Sequence, residues 1–385
     1  MKHERKIIYL AGFLFSLPIA LMSYINSSFL SLFISEKSVG ITYALGSIVS
    51  ILALLSVGPV LRKMGGYKFL LLIIGLDALS ILSFALATSA WMAVTAFILG
   101  FAFNIIIAFS LDEILKIFSK NSGIGRIRGT YMAIVNLAWI MSQLLFIFGG
   151  REGIFSFRTV YLIAFAVMIL FFLISFFTLY NITDPKYDRM KVLRYIKEFF
   201  KNKNLFRAYG INLLLQLFYS FMVIYTPIYL GTHLGFSWRE IGIMFAIMLI
   251  PFSTISFSVG KYGDRMGERK MLMFGFLIAS LSTFAIFFID SREIWIWAFA
   301  LFMTRVGAAT IEVMSDAYFF KHIRPENEEW VGVYRTAAPV AYVIGPLLAL
   351  MTLTFTPSFN FIYPVLGVLM LYGVYLSSTI RKSDI

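Results

Sequence analysis

Apolar runs separated by short polar stretches recur twelve times along the chain, at approximately 7–32, 38–61, 68–89, 91–115, 129–149, 157–180, 206–230, 238–260, 270–289, 294–320, 330–355 and 358–380. A helix crosses the hydrocarbon core of a bilayer with roughly 20 mostly apolar residues. The pattern therefore predicts an all-α integral membrane protein with twelve spans. Polar segments punctuate it: Ser35-Glu-Lys37, Arg151-Glu-Gly153, Asp290-Ser-Arg-Glu293 and Arg324-Pro-Glu-Asn-Glu-Glu329 among them. One connection is long. Asp184-Pro185 ends the sixth span, and Lys191-Val-Leu-Arg-Tyr-Ile-Lys-Glu-Phe-Phe200 alternates basic and apolar positions. That alternation predicts an amphipathic linker over 181–204, lying on the inner membrane surface with its cations toward anionic lipid.

The two sides of this linker repeat each other. Val39-Gly-Ile-Thr-Tyr-Ala-Leu45 aligns with Ile241-Gly-Ile-Met-Phe-Ala-Ile247, and Ser56-Val-Gly58 with Ser258-Val-Gly260, at one ungapped offset. Gly129-Thr-Tyr131 matches Gly332-Val-Tyr334 one residue out of that register. A parallel repeat of six helices and six helices is expected, 1–180 and 205–385, with a solute site between the halves.

Lys and Arg set the orientation. Of 33 such residues, 27 lie in segments on the side of the N-terminus, five lie on the opposite side, and Arg305 falls inside a span. The positive-inside rule places both termini in the cytoplasm of a multi-pass cell-membrane protein, expected in a prokaryotic inner membrane. The first run continues to about Leu32 without a small-residue cleavage site, so it reads as an uncleaved span. Composition agrees: 60% of residues are hydrophobic and 14% charged, a balance foreign to soluble domains. The formal charge of +13 sits in short loops as topology signals, which excludes nucleic acid as a partner. There is no cysteine, and His3, His233 and His322 lack metal-ligand spacing.

Enzyme motifs are absent. Without G-x-x-x-x-G-K-[ST] there is no P-loop hydrolysis of ATP, and neither H-E-x-x-H nor G-x-S-x-G occurs. No cofactor or metal is expected, and the protein is not expected to be an enzyme. The most specific signal is Gly260-x-x-x-Asp264-Arg265-x-Gly267-x-Arg269-Lys270. It resembles the signature loop of the major facilitator superfamily of transporters, which joins the second and third helices and recurs between the eighth and ninth. An echo in the first half keeps Gly58, Lys63, Gly65 and Lys68 but has Arg62 in place of the acid. The resemblance implies a cytoplasmic latch. Asp264 would cap the turn at Trp330–Arg335, and Arg265 or Arg269 would pair with Asp316 at the inner end of the tenth span. The first half places Asp112 and Glu113 at the corresponding end. The bland alternative is topology retention and loop packing.

Ionisable groups inside a span are costly and face a cavity or a partner. Arg305, Glu312 and Asp316 share one face of the tenth span, since spacings of 7 and 11 residues return to nearly the same direction at about 100° per residue. They are substrate or proton candidates, or else Arg305 and Glu312 form a buried structural pair. Asp77, in the middle of the third span, is either a structural hydrogen-bonding group or a proton carrier. Asn26, Asn104, Asn136, Gln143, Gln216 and Tyr219 are polar candidates on spans expected to line a cavity, each of which can also join helices. Gly345-Pro346 resembles half of an antiporter signature, but the fifth span carries Ser142-Gln143 where that signature belongs. The expected function is secondary active transport of a small organic solute by alternating access, coupled to protons, in a monomer. The solute would carry a carboxylate or phosphate. The rivals are a drug/proton efflux antiporter and a transporter-like sensor or scaffold that moves nothing.

Overall fold

The computed structural model describes residues 2–119, 124–149, 156–180, 192–323 and 329–380. The surroundings of Gly58 and Gly260 and the side chains of Arg62, Glu113 and Asp264 are among those outside the described set. The described chain is built of helices and turns, and it divides into two compact units, Met1–Arg189 and Met190–Ile385.

The first unit holds α1 (Lys2–Ser23), the short α2 (Asn26–Leu30), α3 (Glu36–Met64), α4 (Gly66–Ala85), α5 (Ala90–Ser119), α6 (Ile124–Gly149) and α7 (Phe157–Thr178). The second holds α8 (Val192–Lys201), α9 (Lys203–Ile228), α10 (Trp238–Met266), α11 (Glu268–Phe287), α12 (Ile294–Lys321), α13 (Glu329–Arg335), α14 (Ala337–Phe355) and α15 (Ile362–Ser378). Ten described helical stretches are long and apolar enough to cross a membrane. The fifth and eighth expected spans are α6 and α10, helices of 26 and 29 residues. The apolar part of α6 is shorter, Ala133–Ile147. Large apolar side chains such as Trp91, Phe177, Trp295, Phe299 and Phe355 remain exposed, as suits helices solvated by lipid.

Two expected spans are interrupted. The first breaks at Tyr24–Ile25 before α2, and the eleventh breaks at Thr336 between α13 and α14. Side-chain caps fix other helix starts. Ser237 accepts from the backbone N–H of Glu240, and the Glu240 carboxylate accepts from the Ser237 N–H, a reciprocal box that satisfies two orphan donors.

Within each unit the helices pair in the same order. In the first, α1 packs on α5, α6 and α7, α3 on α5, and α4 on α5 and α7. In the second, α9 packs on α12, α14 and α15, α10 on α12, and α11 on α12 and α15. Small residues permit the closest crossings. A Cβ at Gly307 of α12 would meet the Ala279 nitrogen at 2.6 Å and the Gly275 oxygen at 2.7 Å on α11. A Cβ at Gly345 of α14 would run into the Ser220 hydroxyl of α9.

The linker region packs more specifically than its alternating pattern predicts. Phe199 of α8 is fully buried, with ring contacts to Tyr209 of α9, Phe319 of α12 and Trp330 of α13. Lys197 and Lys201 stay exposed. Phe199 thus anchors the amphipathic helix on α9, α12 and α13, with Lys197 and Lys201 turned outward.

Candidate functional site

The polar groups of the second unit converge along a seam where α9 meets α12 and α13. On α9, Asn212, Gln216 and Tyr219 follow at spacings of four and three, so they share a face. Tyr219 donates its hydroxyl to Glu312 Oε2 at 2.8 Å. Gln216 Nε2 donates to Asn212 Oδ1 at 3.3 Å, and Asn212 Nδ2 donates to the Tyr334 carbonyl at 3.3 Å. The Tyr334 hydroxyl lies 2.7 Å from Ser315 Oγ and donates to Asp316 Oδ1 at 3.2 Å. Its ring stacks on Phe319 at 4.0 Å and 7°. Glu312 is exposed, whereas Asn212 and Ser315 are buried. The back of α12, carrying Gly307, is closed against α11, so the charged face is presented toward α9.

Arg305 sits in this seam with 2% of its surface exposed. Its guanidinium carbon lies over the rings of Phe218 and Tyr219, at 5.3 and 5.4 Å. Neither Nε nor Nη2 has a hydrogen-bond partner. The alternative of a buried Arg305–Glu312 ion pair does not hold among the described residues. Seven residues of helix separate the two Cα atoms by about 10 Å, and the Glu312 carboxylate is held by Tyr219 instead.

The signature stretch is less a loop than expected. α10 continues through Gly260, Gly263 and Asp264 to Met266, and α11 starts at Glu268, so Gly267 alone makes the turn. Its φ of 82° and ψ of 149° lie where only glycine is at ease. Gly65 does the same between α3 and α4, with φ 77° and ψ 151°. Gly263, inside the helix, gives way to Met314, whose Sδ would meet a Cβ there at 2.6 Å.

Neither Arg265, exposed, nor Arg269, half-buried, pairs with Asp316 among the described residues; that carboxylate accepts from Tyr334. The ion pair at this end joins Glu268, buried at the start of α11, to Lys321 in the last turn of α12. The geometry explains the exchange of partners. Five residues at 100° each turn Lys321 about 140° away from Asp316, so Lys321 faces α11 while Asp316 faces α13. Lys63 and Lys270 are exposed and Asp112 is half-buried. The expected contacts of Asp264, Gly260, Gly58 and Glu113 lie outside the described residues.

In the first unit the candidates do not gather into one seam. Asp77 is fully buried. Its Oδ1 accepts from Ser80 Oγ at 3.3 Å and from Asn104 Nδ2 at 3.5 Å across the α4–α5 crossing, while Oδ2 has no partner. Asn104 also donates to the Gly100 carbonyl at 2.8 Å. In the repeat registers, Asp77 and Asn104 stand where the second unit has Ala279 and Gly307, so a polar pair replaces a small-residue crossing. Asn26 accepts from Tyr161 at 2.8 Å, tying the break after α1 to α7. Gln143 is buried and donates to its neighbour Ser142 at 2.9 Å. Asn136 is exposed on α6.

Sequence reasoning missed Asn212, Ser315, Tyr334, Glu268, Lys321 and Phe199. Tyr334 alone carried a signal, its match with Tyr131 in the repeat. The other contacts are tertiary and have no local pattern.

Two units of repeated helix pairings and ten described helices long and apolar enough to cross a membrane define a polytopic membrane protein. The profile of the Major Facilitator Superfamily matches residues 7–289 and again 218–383, and the chain belongs to that family of secondary transporters. Solved structures agree in fold. The nucleoside transporter NupG superposes with TM-score 0.74 at 12% identity, covering 98% of this chain and 100% of that one. A bacterial homolog of the human lysosomal transporter Spinster, inward-facing and unoccupied, gives 0.72 at 14%, covering 97% and 94%. The human organic anion transporter MFSD10 gives 0.67 at 15%, covering 98% and 99%. No curated protein matched the sequence.

Proposed function

We propose that the protein moves a small organic solute across the membrane by alternating access, driven by protons, as a monomer with both termini in the cytoplasm. The observation that carries this is the Tyr219–Glu312 hydrogen bond set beside the buried Arg305. An ionisable acid in a span is a natural proton station, and a proton on Glu312 changes the net charge that a solute meets at Arg305. The groups facing Glu312 are Tyr219 from α9, Tyr334 from α13, and Arg305 and Asp316 on its own helix. Solved relatives named for nucleosides and organic anions support an organic cargo. Asp264, Arg265, Gly267 and Arg269 belong in this scheme to the cytoplasmic gate, with Gly58, Lys63, Gly65, Asp112, Glu113 and Asp316. Asp77 with Asn104 joins α4 to α5.

A thermal-shift screen of the purified protein against small metabolites would supply the solute, and proteoliposomes with an imposed pH gradient would then test coupling. Glu312→Gln should abolish gradient-driven accumulation and retain solute exchange. Accumulation at the wild-type rate and pH dependence in that variant would remove protons from the mechanism.

A further inference from the structure

We propose that Arg305 is a bidentate seat for a single carboxylate of the solute, an assignment that deepens the functional proposal and rests on it. The two nitrogens without partners are Nε and Nη2. In a guanidinium their N–H bonds lie along one edge, parallel and in plane, which is the fork that matches the two oxygens of a carboxylate. The rings of Phe218 and Tyr219 beside the guanidinium carbon give a cation–π contribution. The Tyr219 hydroxyl is directed at Glu312 and accepts from neither N–H.

A guanidinium 2% exposed with two unfilled donors is costly, because buried charges and donors lose their water without replacement. Glu312, the acid on the same face, accepts from Tyr219 through Oε2 and reaches neither nitrogen. The missing acceptor therefore arrives with the solute.

Charge decides which oxyanion fits. Arg305 is the one basic side chain in the middle of α9 to α15 among the described residues. Arg207 lies eleven residues from Phe218 and Lys321 sixteen from Arg305, about 16 and 24 Å along their helices. A carboxylate is neutralised by one guanidinium. A phosphate dianion would keep an uncompensated charge close to Glu312. The ring surfaces of Phe218, Tyr219 and Phe252 suit an apolar body behind the acid group. The solute class is a monocarboxylate with an apolar or aromatic body.

Thermal shift and calorimetry on the purified wild-type protein would test this with matched probes: benzoate and phenylacetate, their primary amides, and inorganic phosphate. The acids should stabilise the protein, while the amides and phosphate should bind at least tenfold more weakly. Arg305→Lys, which keeps the charge but loses the fork, should weaken the acids at least tenfold, with a cooperative ligand-free melting transition showing that the variant folds. Acids and amides acting alike on the wild type, phosphate binding better than either acid, or full acid affinity in Arg305→Lys would each overturn the assignment. Acid binding without gradient-driven flux would count against the transport proposal and leave this one standing.

Discussion

Gly65 and Gly267 stand 202 residues apart and hold the same backbone conformation, φ 77° with ψ 151° and φ 82° with ψ 149°. Each donates its N–H back one turn, to Leu61 and Gly263, both at 2.9 Å. Each is at once the last cap of one long helix and the first cap of the next. The repeat preserves the turn although it does not preserve the acid, since Arg62 stands where Asp264 does in the second half.

Space is not what keeps Gly267 a glycine: a Cβ there would meet nothing within 4 Å. Gly267→Ala should therefore cost about 1–3 kcal/mol through backbone strain alone, read as a lower unfolding midpoint in detergent. Gly332→Ala is the control, because its Cβ also meets nothing and its backbone is helical. It should be neutral or slightly stabilising. Equal effects at the two sites would refute the strain argument.

Glu268 and Lys321 tie the start of α11 to the end of α12, with the acid 6% and the lysine 51% exposed at their side chains. Glu268→Gln should destabilise by about 1.5–3 kcal/mol, the range for hydrogen bonds to charged groups. Exchanging the two residues, Glu268→Lys with Lys321→Glu, should recover part of the loss. A double-mutant cycle with no coupling energy would show that the pair contributes nothing.

At the α4–α5 crossing, a Cβ on residue 100 would lie 2.7 Å from Ser80 Oγ. Gly100→Ala should lower stability by about 1–3 kcal/mol through overpacking. Ser80→Ala removes the atom in the way along with its bond to Asp77. The double variant should thus be more stable than the two single effects add up to. Strict additivity would mean that α4 and α5 part easily and that this contact is slack.

The gate proposed at Asp264 has its own test. Asp264→Asn should insert and fold normally while transport falls and cysteines placed near the cytoplasmic ends of α10 and α11 label faster. The chain has no native cysteine to remove. Wild-type flux and labelling in this variant would end the gating role.

What the sequence revealed follows from what the bilayer imposes. A span must be apolar for about twenty residues, so twelve runs and their repeat stood out, and a charge such as Arg305 within one was conspicuous. Gly267 was legible only as a member of the signature, whereas its φ of 82°, which a side chain would strain, has no local signal. The course of α10 through its charged end was not, because a helix can continue past the membrane while its composition changes. Spacing brings Arg305 and Glu312 within reach of one ring, Tyr219, yet spacing does not fix rotamers. The choice of Tyr219 over Arg305 as partner for Glu312 depends on α9, ninety residues away. Glu268 with Lys321, and Ser315 with Tyr334, are likewise invisible to any local window.

The crossing at Gly275 and Gly307 has a mechanical consequence. With no room for a Cβ between them, α12 is keyed to α11: a roll or a slide would drive side chains into the facing backbone. In the proposed transport cycle a displacement of Arg305 would then be a tilt shared by both helices, a two-helix lever with its fulcrum at that crossing. The stiffness of such a lever is set by the smallest residues in the chain.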